Sequence, residues 1–315
     1  MKTEKIPLIA VVGPTASGKT SLSIHLAKAF HGEVISADSM QIYREMSIGT
    51  ARPSVEEMEG IPHHLIGFCS ISETFHVAQY AEMARKTIEA VNARRHVPIL
   101  CGGTGLYIQS VVECLHFSDE QQDECLRREL QLRAQKEGGE ALLRELAAFD
   151  SETAAKLHPN NVGRIIRAIE IYQKTGVTMS EQIRLSRKQE SDYQLFMLGI
   201  TYRDRQKLYA RIEQRVDNML EKGLIEEARD VLSQKSGKTA LQAIGYKELA
   251  PYLRGEIALE EAVSKIKQET RRYAKRQLTW FRRDKRIHWV FADDFNSPLE
   301  IFRFADDMVE HFFSL

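Results

Sequence analysis

Gly13-Pro14-Thr15-Ala16-Ser17-Gly18-Lys19-Thr20 carries the spacing G-x-x-x-x-G-K-[ST], that of a loop that grips phosphate. Gly13 and Gly18 let the backbone curl so that its N–H groups face an anion. Lys19 adds a point charge, and the Thr20 hydroxyl suits Mg2+. The apolar run Leu8 to Val12 before it has strand length, and Leu22, Leu26 and Ala29 after it recur at helical spacing. The motif therefore has the strand-loop-helix context that it requires. The expected ligand is a diphosphate or triphosphate seated over the helix N-terminus, where the dipole and unpaired N–H groups favour negative charge.

In open α/β sheets ligands collect beyond the carboxyl ends of the strands, so the residues after each strand bear on the chemistry. The stretch Val34 to Tyr43 places Asp38 at such a tip, with Ser39, Met40 and Gln41 beside it. A carboxylate next to bound phosphate suits a base aimed at an incoming acceptor. The competing role for Asp38 is a helix N-cap. The strand Val97 to Cys101 ends in Gly102-Gly103-Thr104-Gly105-Leu106-Tyr107, where Thr104 is the one side-chain donor in the turn and is placed to hydrogen-bond a leaving oxygen. A plain glycine turn is the alternative. This strand lacks the acidic end that holds Mg2+ in many P-loop hydrolases, which argues against a standard NTPase.

Basic residues cluster late. From Lys265 to Arg286 they fall at nearly every second position, among them Arg272, Lys275 and Arg276, interleaved with Tyr273, Trp280 and Phe281. Cations neutralise phosphates and aromatic faces stack on unpaired bases, so the run has the composition of a nucleic-acid footprint. A solvated helix face is the other meaning of such a run. Arg164 and Arg167, three apart on one expected helix, form a smaller patch. One of Arg211, Arg215 and Lys222 is expected to reach the phosphates as a lid residue, with charged helix surface an equal contender. His63 and His64 are adjacent, so their side chains diverge and joint metal ligation is not expected; a structural or hydrogen-bonding role is favoured.

The elements that must carry these residues follow from pattern. At 315 residues the chain suffices for one large or two ordinary domains, and its formal net charge of zero excludes a uniformly basic surface but not a local patch. No basic stretch leads into a signal-like segment, and no apolar run approaches the roughly 20 residues of a membrane span, so a cytosolic protein is expected. Cys69, Cys101, Cys114 and Cys125 show no paired spacing and read as reduced thiols, without a structural metal. Strand runs at Leu8 to Val12, Glu33 to Ser36, Val97 to Cys101 and Leu195 to Ile200 alternate with helical segments. Between them the strand signal lapses, giving helical sequence at Asp123 to Gln135, Glu140 to Phe149 and Val162 to Gln173. Further helices are expected over Asp204 to Ser233, Thr239 to Leu253 and Leu259 to Arg282. The expected class is α/β: a P-loop NTPase-like parallel sheet flanked by helices, formed by residues 1–114 and 193–315, with an inserted all-helical domain over 115–192.

Seven segments occur here in one order: Gly13 to Thr20, Asp38 to Arg44, Ile61 to Leu65, Gly102 to Tyr107, Arg164 to Glu170, Ala243 to Glu248 and Thr270 to Phe281. Together they closely resemble the bacterial tRNA dimethylallyltransferases over nearly the whole chain. The resemblance implies transfer of a dimethylallyl group from dimethylallyl diphosphate to N6 of adenosine 37 in tRNA, with Mg2+. It implies that the loop Gly13 to Thr20 holds the donor's diphosphate rather than ATP, and that Asp38 is the general base at adenine N6. Thr104 matches the threonine near the bridging oxygen of the leaving diphosphate, and Arg215 the arginine on the phosphates. By the same transfer Ser39, Met40 and Gln41 approach the flipped adenine. Arg127 and the run Arg164, Ile165, Ile166, Arg167 and Ala168 lie along the anticodon stem-loop. The implied partners are tRNA and dimethylallyl diphosphate, with no membrane and a monomer as the default state. Two rival functions are a kinase, which would use ATP and leave the basic run idle, and a non-catalytic RNA-binding protein with a relic loop.

Overall fold

The computed structural model describes residues 5–115, 123–187, 191–234, 237 and 240–314. Six strands form one parallel sheet: β1 (Ile6–Val12), β2 (Gly32–Ser36), β3 (His63–His64), β4 (Val97–Gly102), β5 (Tyr193–Thr201) and β6 (Ile287–Phe291), in the order β3-β2-β4-β1-β5-β6. Leu8 to Val12 is fully buried because both faces of the sheet are covered, which is why β1 reads as a continuous apolar run and not as an alternation. Ile9, Val11, Val34, Ile99 and Leu198 pack with the helices Lys19–Ala29 and Pro298–Phe313. Leu8, Ala10, Val12, Ile35 and Leu100, one residue out of phase, are equally buried, and the helix Val77–Ala93 packs on β1, β2 and β4.

The four expected strands are present, and two more join them. β6 follows the charged run directly and buries only Ile287 and Val290 of its five residues, so its signal is short. β3 spans only two residues. His64 Nε2 meets Glu33 Oε2 at 2.5 Å while His63 Nδ1 meets the Ile61 carbonyl at 2.8 Å, so the two rings diverge into hydrogen-bonding roles. The helical stretch over Asp204 to Ser233 is two helices, Arg205–Glu221 and Leu224–Ser233, parted at Gly223 with φ 98°. Of the stretch Thr239 to Leu253, Thr239 lies outside the described residues; the rest is a single turn, Ala240–Gln242, then Tyr246–Leu253 after Gly245. The basic run lies on Leu259–Phe281. Cys69, Cys101, Cys114 and Cys125 form no disulfide.

The chain divides into two compact units, one running to Val112 and resuming at Asp192, the other Glu113–Ser191. Within the second, Glu124–Glu137, Gly139–Phe149, Ser151–Ala154, Val162–Thr175 and Met179–Arg187 are helices, with Leu130, Leu142, Leu146, Ile165, Ile166, Ala168 and Ile169 at their core. Ile165, Ile166 and Ala168 turn inward to this core while Arg164 is exposed, as helical periodicity requires. Arg127 and Arg167 also differ from free surface arginines. Both donate to the fully buried Glu170, Arg127 Nη2 at 2.8 Å and Arg167 Nη1 at 2.7 Å, and the Asp123 N–H adds a further bond at 2.8 Å. Burial alone would raise the Glu170 carboxyl, but these donors outweigh it and hold it near 2, below the usual 4.5. This stabilisation is fully present above pH 4.5 and is lost as pH falls toward 2. Glu170→Gln is expected to cost about 1–3 kcal/mol and to flatten the acid limb of the stability profile, both read by denaturant unfolding as a function of pH.

Candidate active site

β1 is central, and the strand order reverses around it, so the crevice at its carboxyl end is the place where such sheets receive ligands. The chain leaves Val12 through Gly13, whose φ is +147° and whose Cβ, were there one, would lie 2.3 Å from the Ile200 carbonyl oxygen. Only glycine fits that approach. Ala16 at φ 63° and Gly18 at φ 101° continue the curl into the helix Lys19–Ala29. A left-handed alanine is uncommon backbone, held here inside the loop. The Ser17 hydroxyl is buried with no hydrogen-bond partner among the described residues, an orphaned group of the kind that a bound phosphate oxygen satisfies.

A cavity of about 280 Å3 opens beside the loop. Thr15, Lys19 and Thr20 line it from the loop, Asp38, Ser39, Met40 and Gln41 from the tip of β2, and Gly102 and Gly103 from the tip of β4. Arg215, from Arg205–Glu221, and Tyr273, Arg276 and Gln277, from Leu259–Phe281, close the wall. Residues far apart in the chain are thus gathered at neighbouring strand ends.

Lys19 is enclosed, its Nζ donating to the Pro14 carbonyl at 2.6 Å. Burial lowers its pKa to about 8; Arg215 pushes the same way, while Cys101 and Asp38 oppose. Asp38 Oδ1 accepts the backbone N–H groups of Met40 at 2.9 Å and Gln41 at 3.3 Å. Oδ2 has no partner among the described residues, so this carboxylate caps a turn with one oxygen and leaves the other unengaged in the cavity wall. Thr104 Oγ1 accepts the Ser39 N–H at 3.0 Å and donates to Ser39 Oγ at 3.3 Å, which ties the β4 turn to the residue after Asp38. Burial pushes the Tyr273 phenol up, and the nearby Asp38 carboxylate adds to this, while the Thr104 and Gln277 side chains oppose it. Gln41 spends its amide on the carbonyls of Thr50 and Ala51, each at 3.2 Å.

Of the three lid candidates, Arg215 lines the cavity. Arg211 Nε instead donates to the Ala16 carbonyl of the loop at 3.0 Å, and Lys222 pairs with Glu57 at 3.5 Å. In the basic run Arg272 pairs with Glu269 at 2.6 Å, Lys275 is exposed, and Arg276 reaches both cavity and solvent. Among the described residues no group of three or more His, Cys, Asp or Glu side chains is arranged to hold a metal ion. Thr20, with its hydroxyl, lines the cavity from the loop.

Gln277 was not legible as a site residue. Its Oε1 accepts the Thr15 N–H at 2.9 Å and its Nε2 donates to the Gly103 carbonyl at 2.9 Å, clamping the phosphate loop to the β4 turn. A Cβ at Gly103 would lie 2.2 Å from Gln277 Nε2, so the glycine makes room for this clamp. Gln277→Ala leaves two backbone groups unpaired and is expected to cost about 1–3 kcal/mol in denaturant unfolding, with a raised KM for the phosphate donor.

Fold and site together define a class: a P-loop α/β protein whose phosphate loop shares one cavity with a carboxylate at the next strand tip. The chain belongs to the IPP transferase family, whose model matches residues 41–284. It is 46% identical to the tRNA dimethylallyltransferase of Thermoanaerobacter sp. (strain X514), covering 94% of this chain and 95% of that one. A full-length tRNA isopentenylpyrophosphate transferase structure from Bacillus halodurans aligns with a TM-score of 0.70 at 43% identity, over 98% of this chain and 99% of that one. A structure of a eukaryotic dimethylallyltransferase acting on tRNA aligns at 0.81 and 28% identity, over 97% of this chain and 80% of that one.

Proposed function

We propose that this protein transfers the dimethylallyl group of dimethylallyl diphosphate to N6 of adenosine 37 in tRNA, releasing diphosphate. The observation that carries this reading is the shared cavity: a half-free carboxylate at Asp38 and a loop with an enclosed Lys19 line one space. The relatives named as tRNA dimethylallyltransferases support the choice of donor and acceptor.

An exocyclic adenine amine is a weak nucleophile because its lone pair is delocalised into the ring. Asp38 Oδ2 orients N6 and takes its proton as the N–C bond forms and the allylic C–O bond breaks. Negative charge grows on the departing diphosphate, where Lys19, the loop N–H groups and Arg215 stabilise it. Thr104 acts at the bridging oxygen from its place beside Ser39 and Tyr273. Mg2+, held by Thr20 and the diphosphate itself, would supply further charge neutralisation; such ions keep most of their water and need few protein ligands.

A stacked loop base cannot reach a cavity of this kind, so adenosine 37 is extruded on binding, with Ser39 and Met40 beside the purine. Arg272, Lys275 and Arg276 meet backbone phosphates, as does Arg164 in the helical insertion, where the partly exposed Arg127 and Arg167 contribute beyond their bonds to Glu170. The chain acts as a monomer in the cytoplasm, where its substrate tRNA is found. Among the described residues no helix is long and apolar enough to cross a membrane. The test is mass analysis of tRNA nucleosides after incubation with radiolabelled dimethylallyl diphosphate. One five-carbon unit on adenosine 37 is expected; phosphate transfer from ATP with no prenylated nucleoside would overturn the assignment.

A further inference from the structure

The segment Ser47 to Thr50 lines the cavity through Gly49 and Thr50, yet belongs to no helix or strand. One side chain from a distant helix holds it. Glu227 Oε2 accepts the Ser47 N–H, the Ser47 hydroxyl and the Ile48 N–H, each at 2.8 Å, and Oε1 accepts the Gly49 N–H at 2.8 Å. The Tyr246 phenol donates to Oε1 at 2.6 Å. Five donors on one carboxylate come close to saturating its lone pairs. Tyr246 is fully buried, and its ring sits against Gly49, where a Cβ would lie 2.6 Å from the phenol oxygen. Burial would raise the Glu227 carboxyl, but these donors hold it below the usual carboxylate range, so it stays ionised.

The next residue passes this order on. The Thr50 carbonyl accepts Gln41 Nε2 at 3.2 Å and Arg215 Nη2 at 3.2 Å. For Arg215 that carbonyl is the one hydrogen-bond acceptor among the described residues, and no carboxylate pairs with it. The Asp38 and Glu57 charges act on it only at a distance and do not offset the cost of its burial, so this enclosed guanidinium is poised for an anion, and its aim depends on what fixes its fork. From these contacts we infer that Glu227, with Tyr246, is a positioning residue: it sets the Ser47 to Thr50 segment and, through the Thr50 carbonyl, aims Arg215 at the donor's diphosphate. The inference rests on the proposed function for the identity of that anion, and it gives the Ala243 to Glu248 motif a physical role through Tyr246.

The test is a double-mutant cycle read by the affinity for inorganic diphosphate, with kcat, KM for tRNA and thermal melting measured in parallel. Glu227→Gln keeps the shape but presents an amide to the N–H donors, and Tyr246→Phe deletes one hydroxyl. Each is expected to weaken diphosphate binding roughly tenfold while KM for tRNA stays within about twofold. In an Arg215→Ala background the same changes are expected to add less than about twofold. Losses that multiply in full with Arg215→Ala, or unchanged diphosphate affinity with a lowered melting temperature, would overturn the inference and leave Glu227 a packing anchor. If Glu227→Gln does not fold, Tyr246→Phe carries the cycle alone. Because diphosphate binding is read without transfer, an unaltered wild-type tRNA pool would refute the proposed function while the cycle still decides the role of Glu227.

Discussion

Asp38→Ala is expected to lower turnover by roughly 10² to 10⁴, the range that a positioned general base contributes. The affinity for tRNA should barely change, because the contacts that bind RNA lie on other residues. This asymmetry separates a base from a binding residue: kcat and kcat/KM fall together when an interaction made only in the transition state is removed. Asp38 also caps its own turn through the Met40 and Gln41 N–H groups, so the alanine variant loses some local order as well. Asp38→Asn addresses that point. It preserves an oxygen acceptor for the turn but cannot take a proton, and is expected to fall nearly as far as alanine. Single-turnover rates with both variants check this, and near-normal turnover in either would refute the base role.

Lys19→Ala is expected to lower kcat/KM for the prenyl donor by roughly 10² to 10³, the scale of losing one donor to developing negative charge. Lys19 adds a pH signature of its own. Burial lowers it to about 8 in the unliganded protein, whereas a bound diphosphate favours the charged form and raises it again. Donor affinity is therefore expected to weaken as pH rises through about 8, and this break should vanish in Lys19→Ala. The same shift acts on folding with the opposite pH dependence. Without ligand the folded protein binds fewer protons at Lys19 than the unfolded chain does between pH 8 and 10.5, so this group's penalty fades as pH rises across that window. Isothermal titration of diphosphate across pH, with wild type and variant compared, reads the first effect directly.

The parts of the site that could be read from sequence are those written in contiguous residues. The phosphate loop, Asp38 with its neighbours, and the Gly102 to Thr104 turn each sit directly after an apolar run, and strand alternation alone puts three such ends on one edge of a parallel sheet. By pattern Arg215 was one of three basic residues in a bland stretch, singled out only by the resemblance; the packing of Arg205–Glu221 sets it, and not Arg211 or Lys222, in the cavity wall. Gln277 was hidden for a different reason. It lies in a run whose charges dominate the pattern, and its contact with Thr15 spans 262 positions. The carboxylates of Glu170 and Glu227 look like ordinary helix surface in the sequence, and become structural only when distant N–H donors converge on them. In the helical unit, resemblance carried Ile165, Ile166 and Ala168 along with the arginines. Helical periodicity separates them, since apolar residues at that spacing belong to a core.

The most direct test of the account is a structure of the protein with an anticodon stem-loop and an unreactive thio analogue of dimethylallyl diphosphate. The account predicts the diphosphate seated on Gly13 to Thr20 with Arg215 on its oxygens, and adenine N6 within hydrogen-bonding distance of Asp38 Oδ2. A purine lodged elsewhere, with Asp38 facing away from the prenyl carbon, would contradict it.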